Sequence, residues 1–186
     1  MLALKAAIQK QLKDAKRIAL LGVGSELRGD DVAGILVARA LIKAYKERKP
    51  KREFKVFEGA TAPENLTGEI KRFKPTHLII VDSADTGKPI GAITLIKPEE
   101  TAGISFCTHQ LPLKIMLDYL NESIGCEMMI IGIQPKTLDF GTSPSTEVKK
   151  AVKLVTAAIK EILDTPYGKR GGLESRSLGR GTPTFK

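Results

Sequence analysis

Tryptophan is missing from this 186-residue chain, aromatic side chains amount to 5%, and only two cysteines and two histidines occur. Cys107 and Cys126, 19 positions apart, fit neither a CxxC pair nor a disulfide framework, so both read as reduced thiols. The shortage of aromatics counts against nucleic acid as a partner, because no basic stripe interleaved with stacking rings is present. The formal net charge of +9 does not reverse that. Beyond Tyr167 lie Lys169, Arg170, Arg176, Arg180 and Lys186 against Glu174 alone, so that segment supplies +4 and the rest of the chain +5. A solvated, lysine-rich surface accounts for such an excess. No apolar run approaches the roughly 20 residues that span a bilayer. Residues 1–15 mix Lys5, Lys10, Lys13 and Asp14 with Leu4, Ile8 and Leu12 at helical spacing, which is not the unbroken apolar block of a secretion signal. A cytoplasmic protein without a membrane span is expected.

What is present is an alternation of strand and helix patterns sufficient for one domain, residues 1–167, followed by a flexible basic tail, residues 168–186, that has no periodicity. A helix over 3–14 precedes a first strand over 17–24, whose Ile18-Ala19-Leu20-Leu21 is apolar on both faces, as in a parallel sheet covered by helices. The spacing predicts a helix from 31 to about 46 that buries Ile35, Ala38, Ile42 and Tyr45, with Asp30 as its N-cap and Pro50 ending it. A second strand at 54–59, a short helix and a third strand at 77–82 complete a β-α-β-α-β run, so the sheet order begins 2-1-3. Residues 85–91, with Gly87 and Pro89, are too few for a crossover helix, and the fourth strand at 92–96 must run antiparallel. A helix at 111–121, a fifth strand at 127–134 and a last helix at 144–163 follow. That last helix turns Val148, Ala151, Val155, Ile159 and Ile162 inward, with Ser143 and Pro144 as cap and first turn. The expected fold class is α/β, a three-layer α/β/α sandwich on a five-stranded mixed sheet of order 2-1-3-5-4.

The stretch 21–34, LGVGSELRGDDVAG, sets two adjacent carboxylates where a strand passes into a helix. Capping accounts for one of them. Ligands of open α/β sheets bind at the carboxyl ends of the strands, where neighbouring connections diverge, and strands 1 and 3 flank that crevice. Asp31 follows strand 1, Asp82 ends strand 3, and the ten residues from 99 to 108 span about 33 Å when extended, enough to bring His109 to the same rim. Asp31, Asp82 and His109 are therefore the candidate catalytic and metal-binding residues, two oxygens and one nitrogen that suit nickel or zinc. Taken singly, each also reads as a cap or turn residue. His77 starts strand 3, about 16 Å from Asp82 along it, and is structural. Cys107 is a weaker candidate ligand or nucleophile, with no strong base beside it in sequence. A dinucleotide site, with Glu58 on the ribose, is disfavoured: Leu27 occupies the third glycine position, and Asp30 and Asp31 stand where a pyrophosphate would go.

Gly22-Val23-Gly24-Ser25 with Gly29-Asp30-Asp31-Val32-Ala33-Gly34, then Glu58-Gly59-Ala60-Thr61-Ala62-Pro63-Glu64, Leu78-Ile79-Ile80-Val81-Asp82-Ser83-Ala84-Asp85, Thr108-His109-Gln110-Leu111-Pro112-Leu113 and Gly132-Ile133-Gln134-Pro135 form an ordered set. This set resembles the HycI/HybD-type hydrogenase maturation endopeptidases over about residues 17–165. The resemblance implies a phosphorylase/hydrolase-like α/β/α fold and removal of a C-terminal extension from the precursor of a NiFe hydrogenase large subunit after nickel insertion. It places the metal-recognising residues on Asp31, Asp82 and His109. It further implies nickel supplied by the substrate as the ion recognised, with zinc or cadmium able to substitute for it in a crystal. Two positions depart from the pattern: Glu58, where relatives usually have aspartate, and Ala60, where many have another residue before threonine. Arg28 is a candidate for a substrate carboxylate, or a plain surface arginine, and Gln134 a cleft or turn residue. The competing expectations are a non-catalytic, nickel-sensing chaperone and a metal-dependent exopeptidase, the latter short of ligands for two ions. A monomer or weak oligomer is expected.

Overall fold

The computed structural model describes residues 2–101, 104–106 and 113–166. Helix α1 (Leu2–Gln11) leads into β1 (Arg17–Val23), a 3₁₀ turn (Gly29–Val32) and α2 (Ala33–Ala44). Then come β2 (Glu53–Ala60), α3 (Thr67–Phe73), β3 (His77–Asp85) and β4 (Ile93–Ile96), followed by β5 (Ser105–Phe106), α4 (Leu113–Ile124), β6 (Glu127–Ile133) and α5 (Thr146–Leu163). The sheet runs β2-β1-β3-β6-β4, with β5 paired to β3 off that path. Strands β1, β2, β3 and β6 are mutually parallel, and β4 is antiparallel to β6. This is the expected order, with β6 as the fifth predicted strand. The sixth strand is an addition: β5 pairs Ser105 and Phe106 with Asp85 and Ala84, which lengthens β3 past Asp82. Two residues carry no periodicity, so nothing in the sequence marks them.

Alternation along the central strands feeds two cores. Ile18, Leu20, Ile79, Val81 and Ile131 face α1, α2 and α5 on one side. Ala19, Leu21, Leu78, Ile80 and Ile130 face α3 and α4 on the other. All five predicted α5 positions, Val148, Ala151, Val155, Ile159 and Ile162, are buried. The α5 cap is a correction: Ser145, not Ser143, accepts from the Val148 amide at 3.3 Å, because the chain stays extended through residue 145. On α2, Ile35 and Ala38 are buried as expected, beside Ala33, Gly34, Val37 and Leu41, and Tyr45 packs against the same core. The one departure is Ile42, 100° round the helix from Leu41 and 46% exposed. The open edges of the sheet are β2, which shows the exposed, ion-paired Glu53 and Lys55, and the four-residue β4. Among the described residues no helix is long and apolar enough to cross a membrane.

Helix α2 rests on the sheet through glycine. A Cβ on Gly34 would lie 2.0 Å from the carbonyl oxygen of Val81 in β3 and 2.3 Å from that of Val23 in β1. One on Gly22 would lie 2.3 Å from the Gly34 carbonyl. Backbone meets backbone, with no flexible side chain to yield. Gly34→Ala is expected to lose about 3 kcal/mol, read as a fall of roughly 6–12 °C in Tm for a chain of this size.

Candidate active site

The carboxyl ends of β1 and β3 lie side by side, and the turn Gly29–Val32 closes over them. Gly24, at φ 137°, makes this closure possible, since a Cβ there would sit 1.8 Å from the Asp31 carbonyl oxygen. Asp30, Asp31 and Asp82 are each fully buried.

Asp30 does not cap α2. Its carboxylate reaches away from its own helix and accepts hydrogen bonds from the amides of Lys136 (2.8 Å), Thr137 (3.4 Å) and Ser145 (2.6 Å) and from the Ser145 hydroxyl (2.9 Å). Its amide donates to the Thr137 carbonyl at 3.0 Å, and its own carbonyl accepts from Ser83 Oγ at 2.7 Å. The expectation failed because a cap needs only local donors, whereas these lie more than 100 residues away in sequence. Adjacent acids at a buried turn were the available signal: water cannot satisfy both there, so one must find partners elsewhere.

The Ser83–Asp30 bond fixes β3 against the turn and brings Asp82 beside Asp31. The Asp82 carboxyl is pushed well above the ordinary carboxylate range, first by burial and then by the charge of Asp31, with partial relief from the Ser83 amide. Among the described residues no side chain hydrogen-bonds either Asp82 oxygen. A dry acid pair of this kind resolves its repulsion by taking up a proton or a cation. His109, Thr108, Gln110 and Cys107 lie outside the described residues, as does the segment 167–186. The chain does return across the sheet: Phe106, three positions before His109, pairs with Ala84, two positions after Asp82. Among the described residues no three metal-ligating side chains gather.

A model of the HycI family, described as hydrogenase maturation protease, matches residues 35–164. The chain belongs to the hydrogenase maturation protease family. It is 37% identical to a putative hydrogenase maturation protease of Methanocaldococcus jannaschii over 87% of this chain and 96% of that one. It is 39% identical to the Hydrogenase 3 maturation protease of Escherichia coli over 73% and 84%. Among solved structures, HycI of Thermococcus kodakarensis, a NiFe hydrogenase maturation protease, superposes with a TM-score of 0.75 at 30% identity, over 86% of this chain and 99% of that one. Family membership makes the chain an endopeptidase.

The remaining candidates take structural places in this maturation protease. Arg28 Nε donates to the Leu138 carbonyl at 3.1 Å. Gln134 Oε1 accepts from the Thr86 amide (2.8 Å) and its Nε2 donates to Asp85 (3.0 Å), which holds the β3–β4 connection. Glu58 is ion-paired with Arg39, which also grips Glu26. Ala60, beside a break in the β1–β2 register, has a φ of 47°, left-handed and unusual for alanine. His77 is at the opposite end of β3, its pKa lowered by burial. Burial pushes the Cys126 thiol up to about 11, too high for a thiolate nucleophile at neutral pH.

Because folding raises the Asp82 pKa, the folded chain keeps a proton that the unfolded chain releases, and stability falls as pH rises above the ordinary value of 3.8. In chelator, Asp82→Asn is expected to melt above the wild type at pH 7, with the gap shrinking as the pH falls toward 4, followed by thermal unfolding at several pH values.

Proposed function

We propose that this protein removes a C-terminal extension from the precursor of a NiFe hydrogenase large subunit once nickel is in place, and that the nickel arrives as cargo of the precursor. The observation that carries the reading is the buried pair Asp31 and Asp82, drawn from distant parts of the chain to one strand-end crevice and coupled in charge. Oxygen donors of this kind, with the imidazole of His109 as third donor, suit a borderline divalent ion such as nickel or zinc. An ion already held by precursor thiolates still offers open coordination positions, and Asp31, Asp82 and His109 are assigned to them. Docking then depends on loading, which checks that insertion precedes cleavage. When bound, the ion supplies Lewis-acid polarisation of a carbonyl or a water. The protein's own part is to hold the carboxylates in a buried, fixed crevice, to present the peptide to them, and to receive the proton of the attacking water on a carboxylate oxygen of Asp82.

The test is incubation of the purified protein with nickel-loaded and metal-free precursor, followed by mass spectrometry. The loaded form alone should be clipped, and Asp31→Ala, Asp82→Ala and His109→Ala should each slow clipping by about 100-fold or more, with circular dichroism unchanged. Equal clipping of both forms would refute the loading check. Binding without clipping would mark a nickel-sensing chaperone, and stepwise trimming from a chain end an exopeptidase.

A further inference from the structure

Two large apolar side chains stand out in solvent around the turn that carries Asp31: Leu27, two residues before that turn, is 59% exposed and Phe140 75%. Single exposed apolar residues are ordinary. These two are neighbours, since the Gly141 amide donates to the Leu27 carbonyl at 2.8 Å. They are also braced. The segment carrying Phe140 is pinned at both ends to the one buried Asp30 carboxylate, through Lys136 and Thr137 on one side and Ser145 on the other. Arg28 ties its middle through Leu138. One buried carboxylate with four donors thus holds a loop whose tip, Phe140, is turned to solvent.

We infer that Leu27 and Phe140 form a rigid lip that receives an apolar side chain of the polypeptide being cut, a few residues from the scissile bond. The inference rests on the protease reading above, and its occupant follows from continuity with that site. Leu27 precedes Asp31 by four residues, so their backbones are at most about 14 Å apart, the reach of about four residues of extended substrate. A peptide extended from the carboxylates toward this side reaches the lip within about that many residues. Preorganised apolar groups at such a place gain affinity without the entropy of ordering a loop.

The experiment is steady-state cleavage of nickel-loaded precursor by the wild type, Leu27→Ser, Phe140→Ser and the double variant, with Leu2→Ser as a control, since Leu2 is 82% exposed on α1. The lip variants should raise KM about 10-fold or more, with kcat within about twofold and Tm unmoved, while the control behaves as wild type. Unchanged KM, or an equal rise in the control, would overturn the lip. So would a wild-type dimer in sedimentation that the lip variants dissociate without a change in KM, since the lip would then be a contact between two copies. Precursor binding by fluorescence anisotropy separates the two readings. If the wild type binds without cutting and the variants lose binding, the protease reading fails and the lip stands only as a contact that binds the precursor. If the wild type neither binds nor cuts, both fall.

Discussion

Everything at the rim where β1 and β3 end depends on main chain touching main chain. The carbonyls of Val23 and Val81 occupy the space a side chain at position 34 would need, and the Gly34 carbonyl does the same to position 22. A helix seated this closely brings the turn before it, with Asp30 and Asp31, down onto the ends of β1 and β3. Ordinary helix–sheet packing through side chains would lift the turn away from Asp82, and the acid pair would become two solvated surface groups. Gly22 and Gly34 are thus set by distance, where a phosphate loop would use its glycines to approach a ligand.

Adjacent Asp30 and Asp31 divide the work by where their partners lie. Asp30 is buried with its carboxylate fully engaged by backbone and hydroxyl donors, so it behaves as a rivet between the turn and the segment before α5. Asp82, reached by Asp31's charge and by no side-chain hydrogen bond among the described residues, is held at an energetic disadvantage. Such local disadvantage is typical of groups kept for function, and the surrounding packing sustains it.

The strand order, the antiparallel β4 and the inward face of α5 were legible because each rests on a long pattern: double-sided apolar strands, a connection too short to cross, an 18-residue amphipathic helix. The meeting of Asp31 with Asp82 was legible too, since topology alone puts the ends of strands 1 and 3 together. Three features were not. The role of Asp30 depends on donors more than 100 residues away in sequence, β5 is too short to show a period, and the choice of Ser145 over Ser143 turns on a hydrogen bond from Ser145 to Asp30. Each is set by a tertiary contact that overrides a local preference.

The two margins of the sheet are unlike in form and alike in effect. At one, β2 shows Glu53 and Lys55, both paired with charges on neighbouring elements; at the other, β4 offers only four residues. Neither gives a stranger chain a long, flat, uncharged row of amides and carbonyls to zip onto. The molecule is thereby guarded against growing into ribbons at high concentration, and an extended polypeptide gains little by lying along its flanks. The crevice at the strand ends is left as the place to settle.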